Sequence, residues 1–142
     1  MFNQLAKAIH LAALAHVEQK DKSGKPYILH SLRVMFNLST DDEELMATAV
    51  LHDVLEDTYI KMQEIESSFS PRVVNLLKLL TRLENENYQQ YIDRISTDPD
   101  AVKIKLADLR DNMDIARLQS FEEKDIKRIK KYIKAFNQLN NL

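Results

Sequence analysis

Apolar residues recur at intervals of three and four along most of this chain, and the rhythm breaks at a few charged or proline-bearing points. Leu5, Ile9, Ala12, Ala13 and His16 fall along one face, so the spacing predicts a buried first helix over roughly 2–19. The run Lys20-Asp21-Lys22-Ser23-Gly24-Lys25-Pro26 gathers charge and turn formers and predicts a loop. A second helix then starts near Pro26 and passes through Tyr27, Ile28, His30, Leu32 and Val34 to about residue 38. Thr40 and Glu43 have capping-box spacing, and Asp41 and Asp42 complement the positive end of a helix dipole, so a third helix begins there.

The second half repeats the pattern. A short helix is expected near 61–69, then Ser70-Pro71 reads as an N-cap with a first-turn proline ahead of Val73 to Leu83. Residues 88–95 predict another short helix, and Asp98-Pro99 opens a longer one containing Val102, Ile104, Leu106, Leu109 and Met113. Ser120 and Glu123 predict the last cap, after which Ile126, Ile129, Ile133 and Phe136 form an apolar stripe with the intervening Lys and Arg facing water.

Composition narrows the fold. A single Gly and three Pro in 142 residues leave too few turn formers for a β-rich protein, so the class is all-α. With no repeat and no long linker, residues 1–142 are expected to form one domain. The 20 basic and 22 acidic side chains give a net charge of −2, which supplies no global attraction to nucleic acid or anionic membrane. No apolar segment approaches the ~20 residues that span a bilayer, and Met1-Phe2-Asn3-Gln4 lacks a basic secretory start, so a cytoplasmic location is expected. The absence of cysteine excludes disulfides, thiolate nucleophiles and Cys-based zinc sites. Oligomeric state is not legible, although the apolar short helices offer a dimer contact.

Chemistry concentrates in His52-Asp53-Val54-Leu55-Glu56-Asp57-Thr58, at the end of the apolar run Leu45 to Leu51. A His and three carboxylates placed at the end of a core helix need a partner to offset their desolvation, and a divalent cation is the simplest. On a continuous helix Glu56 lies one turn past His52, facing a cation held by His52 and Asp53. His30 and Asp108 also interrupt apolar faces. Alone, such a His is more often a hydrogen-bonded core residue, and such an Asp often simply pairs with an arginine. Asp108 and Arg110 do not face each other on a helix, however, whereas Asp108 and Asn112 do.

Taken in order, Pro26-Tyr27-Ile28-Leu29-His30, His52-Asp53 with Glu56-Asp57-Thr58, and Lys105-Leu106-Ala107-Asp108 with Asn112-Met113 resemble the signatures of RelA/SpoT-type alarmone hydrolase domains of the HD superfamily. The resemblance takes in Ala15-His16 and Gln19 and extends to about residue 118, and the stretch 80–100 is similar to small stand-alone members. It implies a compact helical HD fold with His30, His52, Asp53 and Asp108 as ligands of manganese or another divalent transition metal. It further implies Glu56 and Asp57 as the pair that orients and deprotonates the attacking water and Asn112 as a sugar contact. Lys22 and Ser23 match its Lys-Ser-Gly and read equally as phosphate contacts or as a solvated turn, and Arg117 is a candidate phosphate contact reaching from the late helix. His16 supports the site by hydrogen bonding, and His10 is a surface or packing residue.

The implied reaction removes the 3′-pyrophosphate of guanosine tetra- or pentaphosphate, giving GDP or GTP and pyrophosphate. Asp21 departs from the resemblance, because relatives commonly carry there an arginine that stacks on guanine, and an aspartate cannot. That departure favours a second reading, a phosphatase acting on NADPH or a deoxynucleotide. A third, a non-catalytic nucleotide-binding HD module, is disfavoured by the intact ligand set.

Overall fold

Asn3 caps the first helix by accepting from the amide of Ala6 at 2.9 Å, and it is also the first residue described in the computed structural model, which covers residues 3–142. The expected start at Phe2 lies outside the described residues. From this cap α1 runs Gln4–Ala15, followed by α2 Ile28–Asn37, α3 Glu43–Leu51, α4 Val54–Asp57, α5 Met62–Ser68 and α6 Pro71–Leu80. Then come α7 Tyr88–Ile95, α8 Pro99–Asn112, a 3₁₀ turn Ile115–Arg117 and α9 Glu123–Asn140. No strand is formed among the described residues, in keeping with the all-α expectation.

Several helix starts are set by the anticipated side chains. Ser70 and Asp98 accept from the first-turn amides of α6 and α8, each followed by proline. Two caps differ. Asp42 rather than Thr40 accepts from Leu45 N, and α9 starts from Glu122 with Asp125 as its reciprocal partner, so Ser120 stays in the preceding loop. In both cases an acidic side chain sits closer to the first turn and satisfies the same orphan amides.

Helices α3 and α8 are the centre of the bundle: α1, α2 and α6 pack on α3, and α2, α6 and α9 pack on α8. Both are buried on most sides. Val50, Leu51, Ile104 and Leu109 are fully enclosed with Leu77, Ile92 and Ile95, each such side chain stabilising the fold by about 1.5–3 kcal/mol. A central helix tolerates a polar residue only where partners await it, so the buried Lys105, Asp108 and Asp111 of α8 mark where the core becomes a site.

The expected stripe on α9 is misplaced by part of a turn. Ala135 and Leu139 are buried with Tyr132 and Phe136 beside them, while Ile126 and Ile133 remain 41% and 47% exposed. The helix is rotated so that Arg128 and Tyr132 face the site.

Two loops are built to hold functional groups. Between α1 and α2, Tyr27 N donates to Gln19 O and Asp21 N to Lys25 O, closing a tight excursion whose Gly24 has φ +81°, a conformation costly for other residues. Between α6 and α7 no glycine ends α6. Instead Arg94 of α7 donates to the carbonyls of Lys78, Leu79 and Thr81 at 3.0, 3.1 and 2.9 Å, and Tyr91 Oη donates to Leu80 O at 2.6 Å.

Candidate metal centre

The third helix stops at Leu51, and His52 and Asp53 occupy the junction between α3 and α4. The single continuous helix expected across the motif is therefore broken at these two residues. His52 Nδ1 lies 2.7 Å from the carbonyl of Ala49. A carbonyl only accepts, so the proton resides on Nδ1 and a neutral His52 presents its Nε2 lone pair to the interior. Asp53, the N-cap residue of α4, places Oδ2 within 2.9 Å of that Nε2, and Tyr27 Oη donates to the same oxygen at 2.5 Å.

From α2 and α8, His30 and Asp108 complete the group. Asp108 Oδ1 is 3.0 Å from His30 Nε2 and 3.1 Å from His52 Nε2, and one ligand atom from each of His30, His52, Asp53 and Asp108 lies within 4.8 Å of the others. His30 Nε2 has no aligned hydrogen-bond partner despite its proximity to Asp108. Closeness without alignment is what imidazoles and carboxylates aimed at a common ion display. The donor set of two nitrogens and two carboxylate oxygens fits a divalent transition metal.

Titration shifts express the same need for positive charge. Burial pulls both imidazoles down, yet the nearby carboxylates of Asp108, Asp111 and Asp53 push His30 up to about 11. His52 is pushed up to about 10 by the charges of Asp53 and Asp108, against burial. Both aspartates are held below the usual carboxylate range despite burial, Asp53 chiefly by His52 and Asp108 chiefly by Lys105 and His52. Lys105 Nζ donates to Asp108 Oδ2 at 2.8 Å and lies over the Tyr91 ring. Asn112 Nδ2 donates to Asp108 Oδ1 at 3.1 Å.

Above these residues opens a cavity of about 500 Å³. Glu56 and Asp57 line it but are not among the four clustered groups. Burial raises both carboxyls, with the Asp53 charge adding to each. Glu56 Oε1 accepts from the backbone amide of Arg82 at 2.5 Å, and Asp57 is hydrogen bonded by Gln19. Gln19 in turn meets the buried His16 Nδ1 at 2.7 Å, the supporting role expected of that histidine, while His10 is exposed.

The remaining expected residues also line the cavity, in unequal states. Lys22 is at its rim beside Ser23, whose hydroxyl donates to Asp21 Oδ1 at 2.7 Å. That same oxygen accepts from the amides of Ser23 and Lys25, so Asp21 is the residue around which the loop folds. Arg117 sits in the 3₁₀ turn rather than on the late helix and donates to Asp114 Oδ2 at 2.9 Å and Asp111 O at 3.1 Å.

Sequence reasoning missed part of the wall. Arg128 and Lys131, expected on the solvated face of the last helix, line the cavity with Arg82. Burial and the surrounding Arg82, Lys105, Lys22 and Arg128 all lower Lys131, which stands among other cations there. Arg33, Lys105 and Asp111 were missed too. The one available signal was helical spacing, since Lys105 and Asp111 each lie three residues from Asp108.

The HD domain family matches residues 8–136. A guanosine-3′,5′-bis(diphosphate) 3′-pyrophosphohydrolase of Aquifex aeolicus is 36% identical over 138 residues, covering 90% of this chain and 20% of its own length. The bifunctional (p)ppGpp synthase/hydrolase SpoT of Escherichia coli K12 is 35% identical over 124 residues, covering 78% of this chain and 18% of its own. The chain thus spans about a fifth of the length of these relatives. A solved structure of a metazoan SpoT ortholog, described as hydrolysing ppGpp and acting in starvation responses, superposes with a TM-score of 0.83 at 25% identity, covering 98% of this chain and 86% of that one.

Proposed function

The chain belongs to the HD domain family, and on that premise we propose that it is a divalent-metal-dependent hydrolase removing the 3′-pyrophosphate of guanosine tetra- or pentaphosphate. The observation that carries the reading is the convergence of His30, His52, Asp53 and Asp108 beneath a cavity that the Glu56 and Asp57 carboxyls line together with Arg82, Arg128 and Lys131. The names of the relatives supply the substrate class.

In this reading residues 1–142 act as one HD phosphohydrolase domain in the cytoplasm. No helix among the described residues is long and apolar enough to cross a membrane. The four clustered residues hold manganese or a similar ion, which when bound supplies Lewis acidity at the scissile phosphate and makes nearby water more acidic. Glu56 and Asp57 orient that water and take its proton, a task suited to carboxyls whose pKa is raised above the ordinary carboxylate value by partial desolvation and the Asp53 charge. Water adds at the phosphorus next to the 3′ oxygen, that oxygen leaves as the ribose hydroxyl, and GDP or GTP and pyrophosphate result. Lys22, Ser23 and Arg117 neutralise the phosphates, and Asn112 faces the sugar from its place beside Asp108.

A second reading keeps the site and changes the substrate to another phosphorylated nucleotide, NADPH or a deoxynucleotide. Asp21 favours it, because its carboxylate is committed to folding the loop where an arginine would otherwise stack on guanine.

One experiment separates these readings. Protein loaded with manganese is offered guanosine tetraphosphate, NADPH and common nucleotides in parallel, and the released phosphate species is identified. Pyrophosphate from the guanosine substrate is expected. Orthophosphate from another nucleotide selects the second reading, and tight binding without turnover would make the chain a nucleotide-binding module.

A further inference from the structure

We infer that Asp111 is a positioning residue of the metal centre, holding His30 with its Nε2 lone pair turned to the ion, and that Arg33 holds Asp111 in that attitude. This rests on the metal reading above but on contacts that reading does not use. Asp111 is buried, with Oδ2 2.6 Å from His30 Nδ1. Arg33 grips the same carboxylate as a fork, Nε donating to Oδ1 at 2.7 Å and Nη2 to Oδ2 at 3.1 Å. Arg117 Nη2 lies 3.4 Å from Oδ2 as well.

An ionised carboxylate only accepts, so the proton of this contact resides on His30 Nδ1 and leaves the ligand nitrogen as Nε2. His52 is set in the same sense by the carbonyl of Ala49, a backbone group that no substitution removes. His30 depends on a side chain. Its support also has a geometric economy: His30 and Arg33 lie one turn apart on α2, and Asp108 and Asp111 lie one turn apart on α8. Two i, i+3 pairs therefore meet face to face where α2 crosses α8, and the contact that joins the helices also aims the ligand. Both Arg33 and Asp111 line the cavity, within reach of whatever enters it.

The test uses the full chain, freed of metal and titrated calorimetrically with Mn²⁺ alone. Asp111→Asn keeps the size and an acceptor oxygen but removes the charge, and it is expected to lose about 10–100-fold in Mn²⁺ affinity. Asp111→Glu should recover part of that loss. Arg33→Gln, at a side chain 30% exposed, should weaken the ion in the same direction while leaving every proposed ligand intact. It also carries the test if Asp111→Asn does not fold. Circular dichroism and unfolding of the metal-free variants separate a general loss of stability, which leaves the affinity of the folded fraction unchanged, from a loss of aim, which lowers it. Helical Asp111→Asn or Arg33→Gln protein that binds Mn²⁺ within about twofold of the parent overturns the inference, since outer-sphere partners of ligating histidines cost at least tenfold. A parent chain that takes up no Mn²⁺ overturns the metal reading instead.

Discussion

Glu56 is anchored by Arg82 through the backbone: its Oε1 accepts from the Arg82 amide at 2.5 Å, from a loop that Arg94 ties to the end of α6. The Arg82 side chain meanwhile lines the cavity. The two roles of one residue are separable. Arg82→Ala keeps the amide and is expected to raise KM for a phosphorylated substrate with kcat largely retained, whereas Arg82→Pro removes the donor and should lower kcat. Equal kcat in the two variants, measured at saturating substrate, would sink the assignment.

Glu56 and Asp57 stand beside the clustered ligands without joining them. Glu56→Gln and Asp57→Asn are therefore expected to cost roughly 10²–10⁴ in kcat with Mn²⁺ affinity close to that of the parent. Loss of metal binding in either variant would move that residue from the proton-transfer role to the ligand set.

In the metal-free protein protons stand in for the cation, with His30 pushed up to about 11 and His52 to about 10. A raised folded-state pKa contributes stability that is fully present below the unfolded value near 6.5 and is lost as pH rises through the folded value. Metal-free protein should accordingly melt lower as pH climbs towards 10. At pH 7, Mn²⁺ should displace about two protons, and its affinity should strengthen with pH. Calorimetry in two buffers of different ionisation enthalpy counts those protons, and a buffer-independent heat contradicts the arrangement.

Arg94 pairs with Glu86 at 2.8 Å and closes the end of α6, and the guanidinium lowers the Glu86 carboxyl to about 2. Here the sign reverses: the contribution is present above the unfolded value near 4.5 and is lost as pH falls through about 2. Arg94→Ala leaves the carbonyls of Lys78, Leu79 and Thr81 without this donor and is expected to destabilise the fold by about 2–3 kcal/mol. Chemical denaturation at pH 7 measures that loss. It should also lower activity at temperatures below the melt, because the loop that anchors Glu56 loosens with it.

Much of the fold was legible because capping and periodicity are local. Ser70-Pro71 and Asp98-Pro99 announce α6 and α8, and Tyr88–Ile95 coincides with its expected bounds, since these signals act within a turn or two of the chain. The last helix shows the limit of periodicity. Its isoleucines and its Tyr132, Ala135 and Leu139 both recur at helical spacing, and which set is buried depends on how α9 leans on α8.

The site divides along the same line. By itself the sequence singled out His52 and Asp53 as candidate ligands and marked His30 and Asp108 as ionisable residues interrupting apolar faces, and the resemblance to RelA/SpoT-type domains joined the four into one set. Only the tertiary structure decided what holds and surrounds them. His52 and Asp53 stand at the α3–α4 junction, Asp111 and the Ala49 carbonyl set the two imidazoles, and Arg128 and Lys131 line the cavity. Such partners lie up to 81 residues apart along the chain, so no local rule relates them, and packing of α2 against α8 and of α9 against α8 brings them into contact.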